Sequence, residues 1–217
     1  MDTKNLFERV GRLHTPILLD VMDSLGLGRR FLGERVQHIF SDPFVKVCGR
    51  AFPVRVAKTA EYVEIDNLLR MVDAVPRDAM VVVAAEEDCD CALWGGLMSA
   101  RSRSRGARGA VVNGAVRDVA QIASIGFPVF GTSRNPQDIR RRGMTAEYGC
   151  RVEFFGVGIE PGDLIFGDAN GAIAIPAARA AEIVALAELG VGEESSTQAG
   201  LERGESAEEV FQRYGRF

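Results

Sequence analysis

Between residues 80 and 130, short apolar runs alternate with amphipathic stretches, and this alternation limits the possible folds more than any other feature of the chain. The run 80–85, MVVVAA, is apolar on both faces, as a strand inside a covered sheet must be. Helical spacing follows over 97–105, then a strand at 110–112, a helix over 116–124 and a short strand at 128–130. Strands and helices in this order build a sheet covered by helices, which is a layered, mixed α/β fold.

The flanking segments extend the same architecture. Residues 5–13 are amphipathic, and Thr15-Pro16 reads as a helix cap followed by proline at the first helical position. The second helix would carry Ile17, Leu18, Val21 and Leu25 and stop at Gly26. Residues 44–57 read as one or two strands broken by Gly49 and Pro53, and 64–75 as a helix ended by Pro76. From 151 to 176 the runs VEFFGV, DLIFGD and AIAIP are separated by glycine-bearing turns with no helix between them, which implies a local antiparallel meander. A helix over 177–189 closes the domain at 1–190. The polar stretch 191–217 reads as an exposed C-terminal arm with a last helix near 207–214.

Composition excludes several classes of function. With 217 residues, 47% of them hydrophobic, the chain can bury a proper core, so disorder is excluded for most of it. A balance of 26 Lys+Arg against 30 Asp+Glu leaves no positive field for nucleic acid. The basic run RSRSRGAR at 101–108 is most simply a helix's solvent face and last turn. No apolar run approaches the roughly 20 residues of a membrane span, and the N-terminus has no signal core, so a cytoplasmic protein without membrane contact is expected. The cysteines Cys48, Cys89, Cys91 and Cys150 offer one C-D-C pair and no C-x-x-C, and His14 and His38 form no H-E-x-x-H, so any metal would sit on oxygens.

Two glycine-bearing loops that lead from a strand into a helix are the places for chemistry. Gly95-Gly96-Leu97 would bare backbone N–H groups at a helix start, where carboxylate or phosphate binds. Taken alone, it reads as an ordinary tight turn. The second loop, NGAVRD at 113–118, places Arg117 and Asp118 in a first helical turn, where consecutive side chains diverge by about 100° and grip different parts of one ligand. Arg117 suits a keto or carboxylate oxygen, and Asp118 suits a hard cation such as Mg²⁺. The spacing equally allows Asp118 simply to favour the helix start and Arg117 to extend into solvent.

The segments TPILLDVMDSLG (15–26), CGRAF (48–52), ALWGGL (92–97), RGARGAVVNGAVRDV (105–119), PVFG (128–131) and PGDLIFGDANGAIAIP (161–176) together resemble the RraA-like family. That family includes class II 4-hydroxy-4-methyl-2-oxoglutarate aldolases and the ribonuclease E regulator. The resemblance implies a swivelling β/β/α-type fold with a mixed sheet, two N-terminal helices and a C-terminal helical arm packing on a neighbouring subunit. It also implies a homotrimer or homohexamer with the active site between subunits. By matching position, Arg117 would contact a pyruvate-like moiety, Asp118 would hold Mg²⁺ or Mn²⁺, and the backbone of Gly95, Gly96 and Leu97 would receive the substrate carboxylate. The implied activity is metal-dependent aldol cleavage or decarboxylation of a small 2-oxo acid, such as 4-hydroxy-4-methyl-2-oxoglutarate or oxaloacetate, through a metal-stabilised pyruvate enolate. The alternatives are a non-catalytic regulator that binds a ribonuclease or another protein, and a diverged member with a different C–C bond reaction.

One departure stands out. The aldolase pattern places an acidic residue twenty-one positions before the arginine, and this chain has Gly96 there. Glu86, Glu87, Asp88 and Asp90 could replace it, although a solvated acidic loop is the simpler reading. Asp168 and Asn170 in the G-D-A-N-G turn could bind metal, but Asx residues and glycines are what a tight turn requires. His14 and Asp20 receive no role from sequence, and the arm acids Glu193, Glu194, Glu202 and Glu205 are a candidate source of an acid that crosses the subunit interface, with none singled out. A methyltransferase reading finds no glycine-rich nucleotide loop after a strand.

Overall fold

The computed structural model describes residues 3–85 and 88–215. Helices α1 (Thr3–Val10) and α2 (Thr15–Ser24) open the chain, followed by β1 (Gln37–His38) and the long strand β2 (Lys46–Lys58). Next come α3 (Asp66–Ala74), β3 (Ala79–Ala85), β4 (Ala92–Trp94), α4 (Gly96–Ser104), β5 (Gly109–Val112), β6 (Ala115–Val116), α5 (Val119–Ile125), β7 (Val129–Gly131) and β8 (Ser133–Arg134). The last third carries β9 (Gly143–Tyr148), β10 (Val152–Phe154), β11 (Val157–Ile159), β12 (Leu164–Asp168), β13 (Gly171–Ile175), α6 (Ala180–Glu202) and α7 (Ala207–Tyr214).

The main sheet runs in the order β1-β7-β5-β3-β2-β12-β13, with β9 also paired to β2. Strands β2, β3, β5 and β7 are parallel, whereas β12 and β9 lie antiparallel to β2. The far edges are almost joined. Leu32 N–H donates to Ala172 O and Ala174 N–H to Arg30 O, both at 3.0 Å, just before the chain enters β1 at the opposite edge. The sheet is therefore nearly closed, which protects its edge strands from pairing with another chain.

Three cores follow from this arrangement. Leu32, Val47, Met80, Val82, Val111, Phe130, Ile165 and Ala174 pack on one face of the sheet, where the β10–β11 hairpin adds Val152, Phe154, Val157 and Ile159. Helices α1, α2 and α6 bury Phe7, Ile17, Leu18, Ile183 and Val184 against Phe166 and Ile173 of the antiparallel half. Met71, Val72, Trp94, Ile122 and Phe127 pack against Val81, Val83 and Val112 of the parallel half. Among the described residues no helix is long and apolar enough to cross a membrane.

Several sequence expectations need correction. Residues 44–57 do not break at Gly49 or Pro53, because β2 is one strand of 13 residues. β12 covers its first part, from Lys46 to Arg50, and β9 its last part, from Val54 to Lys58. In the gap, Gly149 N–H donates to Pro53 O at 2.8 Å, so proline sits on an edge position that asks for no donor. The 151–176 segment is not a continuous meander. β10 and β11 form their own hairpin, while β12 and β13 belong to the main sheet. Thr15 is not the cap of α2: His14 Nδ1 accepts from Ile17 N–H at 3.4 Å, and the Thr15 hydroxyl turns elsewhere. The polar arm is helical, since α6 runs without interruption through its first twelve residues. The helix expected over 116–124 begins at Val119, because Ala115 and Val116 are taken by β6. All four cysteines are free thiols.

Candidate active site

Strands β4, β6 and β8 form a small parallel sheet, and its register brings the two glycine-bearing loops together. At the end of β4, Trp94 O accepts from Arg117 N–H at 3.0 Å. Trp94 Nε1 donates to Ser99 Oγ at 2.8 Å, and Ser99 Oγ donates to Gly95 O at 3.1 Å, which fixes the first turn of α4 on a buried indole. Across from it, the Asn113 side chain makes two 2.8 Å bonds to Ala85, donating to its carbonyl and accepting from its N–H. Gly114 follows because a Cβ there would stand 2.6 Å from Leu93 Cδ1.

Arg117 and Asp118 are not in a helical turn. They form the link between β6 and α5, and Asp118 has left-handed backbone angles, φ 60° and ψ 35°. Such a conformation is unfavourable for a side chain larger than glycine and recurs at functional sites. It turns the carboxylate away from its own helix: Asp118 Oδ2 accepts from Gly96 N–H at the start of α4, 3.1 Å away. The 100° divergence argued from sequence therefore does not apply, and Arg117 Nε lies 3.7 Å from Asp118 Oδ2.

One further residue holds the arginine. Arg117 Nη1 donates to Asp138 Oδ2 at 3.1 Å, and Asp138 also takes the Arg140 guanidinium at 3.3 Å and the Arg140 backbone N–H at 2.9 Å. Burial raises the Asp138 pKa, but the Arg140 backbone bond and the two guanidinium groups outweigh it, leaving the carboxyl below its ordinary value. Sequence reasoning missed Asp138 and Arg140 because they sit in an irregular loop where no spacing reports a partner. It also missed Gln121, whose amide lies where a side chain on Gly96 would go: a Cβ on Gly96 would stand 2.1 Å from Gln121 Oε1 and 3.2 Å from Asp118 Cβ.

The remaining candidates separate clearly. Leu97 follows Gly96 with an exposed side chain. Asp168 is buried and accepts from Thr15 N–H at 2.7 Å, Thr15 Oγ1 at 2.9 Å and Asn170 N–H at 2.8 Å, a structural tie between α2 and the β12–β13 turn. His14 lies 3.3 Å from Glu194, and Asp20 is exposed. Asp88 accepts from Asp90 N–H, and Asp90 accepts from Asn135 Nδ2 at 3.3 Å. Glu86 and Glu87 lie outside the described residues.

A cleft of about 950 Å³ opens at the C-terminal ends of β3, β5 and β7, lined by Ala85, Asn113, Gly114, Thr132 and Ser133 among others. Arg117 and Asp118 lie outside its lining, although Gly114 and Ala115 wall it on the way to them. The charged pair, unlike the cleft, joins a strained backbone to converging ionic groups.

Among the described residues, no three His, Cys, Asp or Glu side chains converge on a metal cage. The Asp118 carboxylate at the start of α4 nevertheless offers one oxygen donor set, with Oδ2 bound to Gly96 N–H. One or two such donors suit Mg²⁺ or Mn²⁺, ions that keep much of their water, so these residues fit a hard divalent cation.

Comparison with known proteins identifies the family. A family model described as RraA-like, Aldolase/RraA, matches residues 15–174. Protein DlpA of Legionella pneumophila is 29% identical over 181 residues, covering 83% of this chain but only 29% of that protein. A Halalkalibacterium halodurans protein named "Putative 4-hydroxy-4-methyl-2-oxoglutarate aldolase" is 32% identical over 124 residues, 57% of this chain and 58% of the relative. This chain thus spans less than two thirds of the length of both. A solved structure from Pseudomonas syringae pv. tomato superposes with a TM-score of 0.87 at 25% identity, covering 98% of this chain and 95% of that one. Streptomyces coelicolor RraAS2, described as an unusual member of the RNase ES inhibitor RraA protein family, shares the fold with a TM-score of 0.78 at 23% identity over 94% and 97% of the two chains. With the Arg117–Asp118 link and both glycine loops inside the matched region, the chain belongs to the RraA-like family.

Proposed function

We propose that this protein is a divalent-metal-dependent carbon–carbon lyase, an aldolase or decarboxylase that acts on a small 2-oxo acid. The observation that carries the reading is Asp118, held in a left-handed conformation beside an Arg117 whose guanidinium Asp138 pins in place. Of the five guanidinium donors, Asp138 engages one at Nη1 and Nε faces Asp118, so Nη2 is the edge for a substrate keto or carboxylate oxygen. Gly96 N–H is engaged by Asp118, and Leu97 N–H is the next backbone donor at the start of α4 for a carboxylate. When bound at Asp118, Mg²⁺ or Mn²⁺ supplies Lewis-acid charge for the negative oxygen that develops as the C–C bond breaks. Arg117 adds a preorganised donor to that oxygen. Arg117 and Asp118 are about 40% exposed, which leaves the site open on one side, and in this reading a second copy of the chain closes it.

Pyruvate release from oxaloacetate and from 4-hydroxy-4-methyl-2-oxoglutarate tests this, with Mg²⁺ or Mn²⁺ and after EDTA. Turnover should need the cation and fall at least about 100-fold in Asp118→Ala. A wild-type protein inert toward both substrates at saturating metal would overturn the reading. The second reading, a protein-binding regulator, is favoured by Gly96 standing where the aldolase pattern carries an acid. It expects partner binding that survives Asp118→Ala.

A further inference from the structure

Two of the four thiols stand together. Cys89 and Cys91 flank Asp90 just before β4, and the Cys91 thiol is hydrogen-bonded to that of Cys89. Residues two apart in a chain span at most about 7 Å even when extended. The chain bends at Asp90, whose φ of 43° is left-handed, and this shortens the span toward the roughly 4.4–6.8 Å that a disulfide bridges.

Access distinguishes this pair from a core cysteine. Cys48 lies buried in β2, where burial pushes its thiol up to about 12, and such a thiol is inert. Cys89 and Cys91 instead line the cleft of about 950 Å³, beside the polar Asp88, Asp90 and Asn135. Only 4% and 3% of the two residues is exposed, so a reagent that reaches them from the cleft has to be small. The hydrogen bond to Cys89, together with burial, holds the Cys91 thiol above its ordinary value. Cys91 therefore keeps its proton and donates it to Cys89, and a sulfur that accepts a hydrogen bond ionises more readily. Cys89 is the nucleophile of the pair and Cys91 the thiol that resolves it. Among the described residues no third ligand converges to make a metal cage of these thiols.

We propose that Cys89 and Cys91 form a dithiol site that reacts with hydroperoxides and closes to a disulfide. The site is separate from Arg117 and Asp118 and does not depend on the proposed lyase activity. The Cys89 thiolate attacks one oxygen of hydrogen peroxide and the O–O bond breaks. Cys89 becomes a sulfenic acid, and the departing hydroxide takes up the proton that Cys89 released and leaves as water. The Cys91 sulfur then attacks the Cys89 sulfur, the S–O bond breaks, and the hydroxyl departs with the Cys91 proton as a second water. Two thiols lose two electrons, and one peroxide is reduced to two waters.

The test exposes the reduced, full-length protein to hydrogen peroxide, with intact mass and peptide mapping as the readout and thermal unfolding as the control that each variant is folded. Wild type should lose two hydrogens from the peptide that carries Cys89 and Cys91, reversibly with dithiothreitol, while Cys48 stays a thiol. Cys91→Ser should stop at a sulfenic acid on Cys89, trapped by dimedone. Cys89→Ser should oxidise at Cys91 at least about tenfold more slowly. A folded wild type that forms no 89–91 disulfide, under conditions where the urea-unfolded chain forms it, would overturn the proposal. Equal rates in the two serine variants would overturn the assignment of Cys89 as nucleophile.

Discussion

Asp138 clamps Arg117, with Oδ2 3.1 Å from Nη1, while the other edge of the same guanidinium lies 3.7 Å from Asp118. The arginine is thus shared between two carboxylates, and the shorter contact decides where it points. Without Asp138, attraction to Asp118 is unopposed and the guanidinium covers the carboxylate it should flank. Asp138→Ala is expected to lower kcat/KM about tenfold, a loss of about 1.4 kcal/mol of transition-state stabilisation. Steady-state kinetics beside an unfolding curve would separate this from simple destabilisation.

His38 predicts an acid-sensitive stability. Its side chain is buried against Phe40 and Phe130, and Nδ1 accepts from Asp42 N–H at 3.1 Å. Burial lowers its pKa, against a smaller opposing pull from Asp42. The unfolded chain, with a histidine pKa of about 6.5, therefore binds the proton before the folded one, and stability falls as pH drops below that value. His38→Asn keeps an acceptor for Asp42 but cannot titrate. Urea midpoints between pH 7 and pH 5 should fall more steeply for wild type than for this variant.

Asp168 predicts a purely structural loss. Its removal leaves the donors of Thr15 and Asn170 without their acceptor and frees α2 from the β12–β13 turn. Asp168→Ala should cost about 3 kcal/mol of stability, since bonds to a charged acceptor exceed neutral ones. Mn²⁺ affinity, measured on the folded variant, should not change.

Gly167 predicts overpacking. A Cβ there would stand 2.5 Å from Cζ of the fully buried Phe130 ring, which has no space to retreat. Gly167→Ala should therefore destabilise the protein by about 1–3 kcal/mol, read as a lower denaturant midpoint.

What was legible in the sequence followed how local the determining interaction is. The apolar run of β3 reports burial directly, and β3, α3 and α4 all lie within two residues of where the pattern puts them. The unbroken β2 was not legible, because what excuses Pro53 is the distant Gly149 N–H. Arg117 and Asp118 could be picked out by residue type, but their contact could not. It depends on Asp118 leaving helical geometry and on Gly96 sitting opposite. Asp138 was silent for the same reason, since the Arg117 it holds comes from another loop.

The double-sided pairing of β2 also bears on how the chain is made. Lys46 of β2 faces Asp168 of β12, and Lys58 faces Gly143 of β9, so two partners of a strand synthesised early lie about a hundred residues further along the chain. At roughly 5–20 residues per second, β2 waits on the ribosome for at least several seconds with that edge unpaired. Only β3 arrives soon, and it covers the opposite edge. Closing such long loops is slow. The nascent chain is thus most open to aggregation or chaperone capture between the appearance of β3 and that of β12, and lysines at both ends of β2 are the kind of charge that keeps a waiting edge from the wrong partner.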